Sequence, residues 1–254
     1  MDYEKVVEKW RSKNIKDEAD LSIALDDFRV MFAYHSNKIE NDETTIHDTR
    51  EIFNNGKVIN YTGDLRTLFE LNNQKKSFEY LKPHIIAKDS INVSFIKELH
   101  EIMMNGCYDE MRYSKGERPG SFKIHDYGVG DDVGVLPEDV EDEVVFLCNE
   151  LDDNKNTDVL TCAAYFHLNF ESIHPFADGN GRVGRTLLNY YLMINDYPPT
   201  IIYDEDKDIY YQALTIFDKT EKLDGFVSFI KEETCKTWSR KTPNLSKGIK
   251  SIIL

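Results

Sequence analysis

The chain has 254 residues, 41% hydrophobic and 12% aromatic, enough to bury a real core in one large domain or two modest ones. Its 13 Gly and seven Pro exclude collagen-like and low-complexity classes, and no apolar run is long enough to span a bilayer. The net charge is -15, from 31 Lys plus Arg against 46 Asp plus Glu, which argues against a general nucleic-acid binder but leaves room for one small anion held by a local basic cluster.

In chain order, residues 1–10 are charged and helical in pattern without an apolar signal-peptide core, so a cytoplasmic protein is expected. Leu21, Leu25, Phe28, Phe32, His35 and Ile39 step by four and three, one stripe of a long helix. Thr44 and Thr45 start a shorter helix that Asn54-Asn55-Gly56 would end. Residues 63–82 predict a second long helix stopped by Pro83, and residues 92–105 a third closed by Gly106. Residues 112–136 carry five glycines and short β-favouring pieces, so a hairpin or flap is expected there. Pro137 opens a further helix, another runs from about residue 157 to Ser172, and a Gly-rich turn leads into a helix from about Arg182 to Asn195. Two more helices follow the Pro198-Pro199 break. Cys107, Cys148, Cys162 and Cys235 form no CxxC pair and are read as reduced thiols, with no zinc site and no disulfide framework. The expectation is an all-α fold with one small β-flap.

One stretch carries chemistry, His174-Pro175-Phe176-Ala177-Asp178-Gly179-Asn180-Gly181-Arg182-Val183-Gly184-Arg185. Arg182 and Arg185 share a face of the first turn of the helix they open, where a cation opposes the macrodipole, so an anion is expected in the same space. Gly179 and Gly181 let backbone approach a ligand, and the free N–H groups of such a turn form an anion site. The set reads as a polyphosphate cradle. Asp178 is a hard oxygen ligand suited to the Mg²⁺ that accompanies a nucleotide. His174, at the lip, has the ordinary pKa of a general base near neutral pH.

This string resembles the signature of the Fic (filamentation induced by cAMP) family, His-Pro-Phe-x-Asp/Glu-Gly-Asn-Gly-Arg-x-x-Arg, at every fixed position. The similarity extends to residues 163–173, to Tyr197-Pro198-Pro199 and to Tyr210-Tyr211, over roughly residues 60 to 235. It implies a Fic-type helical core of residues 61–238 with an inserted hairpin flap, preceded by an N-terminal helical region of residues 1–60 and followed by a tail of residues 239–254. It also implies a protein adenylyltransferase that moves AMP from ATP to a Ser, Thr or Tyr hydroxyl and releases pyrophosphate. By that resemblance His174 is the base, Asp178 holds Mg²⁺, and Gly179, Asn180 and Gly181 bind phosphates. Arg182 and Arg185, with Val183 and Gly184 between them, take the β- and γ-phosphates. Phe122, Lys123, Ile124 and His125 of the flap clamp nucleotide and target, and Tyr210 and Tyr211 lie by adenine and ribose. Pro119-Gly120-Ser121 departs from the commoner flap pattern.

Upstream, Ser36-Asn37-Lys38-Ile39-Glu40-Asn41 resembles the family's inhibitory motif, Ser/Thr-x-x-x-Glu-Gly/Asn. The implied role of Glu40 is to pair with Arg185 and block the γ-phosphate, with Ser36 beside it. The partners so implied are ATP and an unidentified target protein, the chain itself included, with no nucleic acid and no membrane; a homo-oligomer is left open. Removal of AMP, a non-catalytic nucleotide-sensing module and transfer of another phosphate-containing group remain alternatives on the same residues.

Overall fold

The structure, a computed structural model, describes residues 2–129, 132–154 and 157–239. Twelve α-helices account for most of them, and they are α1 Tyr3–Arg11, α2 Glu18–Ala24, α3 Asp26–Glu40, α4 Ile46–Asn55, α5 Leu65–Ala87, α6 Val93–Met104, α7 Glu110–Ser114, α8 Val140–Asp153, α9 Val159–Ile173, α10 Asn180–Ile194, α11 Lys207–Thr220 and α12 Asp224–Ser239. Side chains that accept from free first-turn N–H groups begin many of them: Asp17 for α2, Thr45 for α4, Asp64 for α5, Asn92 for α6 and Asp158 for α9. Gly56 ends α4 in the left-handed region, as the Asn-Asn-Gly string predicts.

The centre is α9 lying along α10, with α5, α6, α8 and α11 packed around the pair and α3 laid across α5 and α10. One apolar cluster takes Trp10, Leu21, Phe28 and Phe32 together with Phe78, Phe166, Leu187 and Phe226. The N-terminal helices therefore share their core with the rest, and α1 rests on α12, where Trp10 meets Trp238 at 5.2 Å between ring centroids. No helix among the described residues is long and apolar enough to cross a membrane. The four cysteines are free thiols.

Three elements differ from the sequence expectation. The stripe from Leu21 to Ile39 is two helices, because Leu25 leaves helical geometry (φ -106°, ψ 7°) while its side chain stays buried in line with the others. Pro83 does not stop α5, which continues to Ala87: Leu81 and Ile85 are both core residues, and their burial outweighs the one backbone bond that proline cannot make. Among the described residues, the hairpin flap expected over residues 112–136 is not seen beyond a two-residue ladder. That segment opens with the short helix α7 and continues as irregular chain, with Gly116 and Gly120 at positive φ. The strand pairing among its described residues is β1 Gly128–Val129 against β2 Asp132–Val133. The expected tail beyond Ser239 lies outside the described residues.

Candidate active site

The His174–Arg185 string joins α9 to α10, and the backbone dictates its shape. His174 ends α9 in the left-handed region (φ 51°), its N–H bonded to Phe170 O at 3.1 Å. Asn180 is buried and closes the loop on itself: Oδ1 accepts from Phe176 N–H at 2.8 Å and Nδ2 donates to Phe176 O at 2.7 Å. Its side chain is a clasp on the loop, and only its backbone can meet a ligand. Gly179 starts α10 at φ 85°, a conformation a side chain would strain, and a Cβ there would strike Met104. Val183 and Gly184 point into the core and leave the first turn of α10 to Arg182 and Arg185.

His100 of α6, which the sequence reading passed over, props the loop from beneath. Its ring stacks on Phe176 with centroids 3.7 Å apart; Nδ1 accepts from Gly120 N–H at 2.8 Å, so Nε2 must carry the proton it donates to Asp178 O at 3.0 Å. Burial pushes its pKa down to about 4, which keeps that neutral tautomer.

Around Asp178 the charges are dense. Oδ2 accepts from Arg66 Nη2 of α5 at 2.7 Å and lies 3.5 Å from Arg112 Nη2 of α7; Oδ1 accepts from Arg182 Nη2 at 3.2 Å. Burial alone would raise the Asp178 pKa, but Arg182, Arg66 and Arg112 together hold it below the ordinary carboxylate value. Glu70 of α5, also buried, ties the group together, with Oε1 at 2.9 Å from Arg66 Nε and 2.8 Å from Arg182 Nη1. Asn41, at the end of α3, donates to Glu70 Oε2 at 3.1 Å.

Arg185 faces the other way, into α3. Its Nε donates to Ser36 Oγ at 3.1 Å, and its Nη2 donates to Ser36 O at 2.9 Å and to Glu40 Oε1 at 2.7 Å. The guanidinium is 2% exposed and the Glu40 side chain 35%, so the carboxylate is the solvent-facing member of the pair. A Cβ on Gly181 would run into Glu40 Oε1 and Arg185 Nη1. Glu40 thus stands against the backbone turn that starts α10. The two motifs read separately in the sequence are one cluster.

Tyr210 and Tyr211 separate. Tyr210 is 1% exposed, its hydroxyl 3.0 Å from His167 Nε2 and its ring 5.8 Å from the Arg185 guanidinium carbon, so it supports Arg185 from within the core and does not line an open nucleotide pocket. Tyr211 is 42% exposed. His167 is fully buried, and burial lowers its pKa to about 3.

Glu171 lies beneath this cluster without a hydrogen-bond partner at Oε1, and burial lifts its pKa to about 8 against the pull of Arg185. The folded protein therefore binds a proton at Glu171 that an unfolded carboxylate loses near its ordinary value, so this group's contribution to stability declines as pH rises through 8. Glu171→Gln removes that decline. The melting temperature of the variant should gain on wild type by about 5 °C between pH 6 and pH 9, read by thermal denaturation across pH.

Phe122, Lys123, Ile124 and His125 meet the loop from one side. Lys123 N–H donates to Pro175 O at 2.9 Å and Phe122 packs on Phe176 at 5.4 Å. Buried Glu117 holds the next two residues through Ile124 N–H (3.2 Å) and His125 Nδ1 (3.0 Å); Ile124 itself is exposed. The Lys123 side chain is 1% exposed and its ammonium has no hydrogen-bond partner. Burial, then the Lys123 charge, lower the His174 pKa to about 4, and His174 Nδ1 is also unpartnered. A neutral imidazole can accept a proton, and the Lys123 ammonium beside it, whose own pKa burial lowers against the pull of Asp126, has donors free for an anion. Among the described residues no three His, Cys, Asp or Glu side chains gather into a metal cage. Asp178, a hard-oxygen donor among arginines, fits a divalent cation that arrives with phosphates supplying its other ligands.

Fold and site together define a helical domain with a glycine- and arginine-bearing motif loop between two central helices. Residues 90–192 match the family model described as the Fic/DOC family, so the chain carries a domain of that family there. It is 30% identical over 209 residues to a Drosophila persimilis protein named protein adenylyltransferase Fic, and 28% identical over 204 residues to protein adenylyltransferase fic-1 of Caenorhabditis elegans. These matches cover 80% and 79% of this chain but 39% and 38% of those proteins, so the chain spans about two fifths of their length. In fold it is similar to a Fic-domain-containing signalling protein from Bacteroides thetaiotaomicron, with TM-score 0.79, 23% identity and coverage of 92% of this chain and 93% of that one. Fic-1 from C. elegans aligns with TM-score 0.75 and 23% identity over 93% of this chain and 68% of that one.

Proposed function

We propose that the chain is a protein adenylyltransferase that transfers AMP from ATP to a hydroxyl of a protein, held down by its own α3. The observation that carries this reading is the buried, neutral imidazole of His174 beside the Lys123 ammonium, which has no hydrogen-bond partner, next to a helix start that bears Arg182 and Arg185. The printed names of the relatives support the group transferred.

His174 accepts the proton of the attacking hydroxyl as that oxygen forms its bond to the α-phosphorus. The bond from the α-phosphorus to the bridging oxygen breaks, and pyrophosphate leaves with the electron pair. The backbone of Gly179, Asn180 and Gly181 and the guanidiniums of Arg182 and Arg185 hold the phosphate oxygens, where fixed donors cost no reorganisation at the moment of reaction. Asp178 would hold Mg²⁺, which supplies neutralisation of phosphate charge. Phe122 to His125 close over the nucleotide and the target segment, and Tyr211 borders the adenosine. Glu40 restrains the enzyme by occupying Arg185, the partner the γ-phosphate needs, with Ser36 completing the hold. In this reading residues 1–60 are the regulatory part, residues 61–238 the catalytic part and residues 239–254 a tail. Its targets are proteins in the cytoplasm, the chain itself among them, with no nucleic acid or membrane partner.

The test is incubation of the protein, alone and with cell lysate, with ATP labelled at the α- or the γ-phosphate. Protein should take label from the α position only; label from the γ position would make the chain a kinase and end the proposal.

A further inference from the structure

Asp178 is gripped by a residue that lies far from the motif. Arg66 on α5 is 112 positions away in sequence, yet its Nη2 makes the shortest of the three guanidinium contacts to the Asp178 carboxylate, 2.7 Å at Oδ2. Its Nε is anchored separately on Glu70 Oε1 at 2.9 Å. The three cations around Asp178 differ in their freedom. Arg182 is 3% exposed and braced by Glu70, whereas Arg112 is bonded to Asp109 at 2.8 Å and stands 3.5 Å from Asp178. Arg66, 33% exposed, is the one that can swing outward while its Nε stays on Glu70.

A divalent cation brought by a nucleotide needs a carboxylate oxygen, and Oδ2 is the oxygen that Arg66 covers. Two cations within about 4 Å of one another repel, and the repulsion rises as the site is less solvated. A metal at Oδ2 therefore competes with the Arg66 guanidinium, which stands closest to that atom. The geometry points to Arg66 as a gate on metal loading, a residue that occupies the Asp178 oxygen in the free protein and must leave it before a metal–nucleotide complex can seat. This inference rests on the nucleotide-binding reading above and adds to it a positioning residue outside the motif. Released from Asp178 but tethered at Glu70, the Arg66 guanidinium remains beside the phosphates that displace it.

The experiment measures binding, not turnover. α,β-methylene-ATP, which cannot be cleaved at the transferred bond, is titrated calorimetrically into the full chain at Mg²⁺ concentrations rising from a chelated baseline. The Mg²⁺ concentration that half-restores binding is compared among wild type, Arg66→Gln, Arg66→Lys and Arg112→Gln. Arg66→Gln should lower that midpoint about five- to tenfold, in the range of one partly exposed ion pair. Arg66→Lys keeps a cation on Asp178 and should stay within about threefold of wild type. A loss of folding alone would weaken binding at every Mg²⁺ concentration without moving the midpoint down. An unchanged or raised midpoint in Arg66→Gln, with nucleotide still bound, overturns the gate and leaves the nucleotide reading intact. An equal fall with Arg112→Gln overturns the assignment to Arg66. If wild type binds no nucleotide at any Mg²⁺ concentration, the nucleotide reading and the gate fall together.

Discussion

Glu40→Gly should raise the initial rate of AMP transfer at saturating ATP by about ten- to a thousandfold, each tenfold corresponding to ~1.4 kcal/mol. The reason is occupancy. Arg185 is buried and spends two of its donors on Ser36 and one on Glu40, whose carboxylate lies against Gly181 where α10 begins. A γ-phosphate must displace that carboxylate or bind without Arg185, and either course leaves the α-phosphorus poorly placed for attack. The pair itself contributes modestly to stability, because desolvating Arg185 offsets much of the attraction. Removing Glu40 strands a buried guanidinium, however, so without nucleotide the variant should melt lower than wild type, and ATP should restore it. Ser36→Ala should activate in the same direction by less, since Nη2 still reaches the Ser36 carbonyl. Adding Arg185→Ala to Glu40→Gly should lower the rate again. A Glu40→Gly protein no faster than wild type would remove the inhibitory role.

His174→Ala should reduce transfer at least a thousandfold in the Glu40→Gly background, measured as label transferred from α-labelled ATP. General-base loss alone is worth about a hundred- to ten-thousandfold. Nucleotide binding should survive, because His174 stands beside the cradle and contributes none of its phosphate donors. With its pKa lowered to about 4 in the free protein, by burial first and by Lys123 second, His174 is in the base form throughout neutral pH. The acid limb of kcat/KM should therefore lie well below pH 6, since that parameter reports the free enzyme. Equal rates with and without the imidazole would require another base.

The His174–Arg185 string was legible because it is contiguous: the loop that bends at Gly179, and the two arginines three apart, are written in twelve consecutive residues. The Ser36–Glu40 segment was legible through its resemblance and through a carboxylate at a helix C-terminus, where the dipole calls for a cationic partner. What made it a site, the bond to Arg185, joins residues 145 positions apart. The same distance hid Arg66, Glu70 and His100. Each sits on an ordinary amphipathic helix, and a buried Glu or His on such a helix gives no periodic signal of its own. Arg66 and Glu70, four apart on α5, were readable at most as a helix-surface ion pair. Hydrophobic stepping misled at Leu25, where a kink preserves the stripe, and Pro83 misled because core burial on both sides carried α5 past it. The adjacent Tyr210 and Tyr211 could not be told apart without knowing which face of α11 meets α9.

The identity of the transferred group is the core of the account, and intact-mass spectrometry reads it without a label. The Glu40→Gly protein is incubated with ATP and Mg²⁺, and its own mass is followed beside that of Glu40→Gly/His174→Ala. The account predicts that the single variant gains the mass of one or more AMP groups and the double variant gains none. A gain of phosphate alone, or an equal gain of AMP in both proteins, would contradict it.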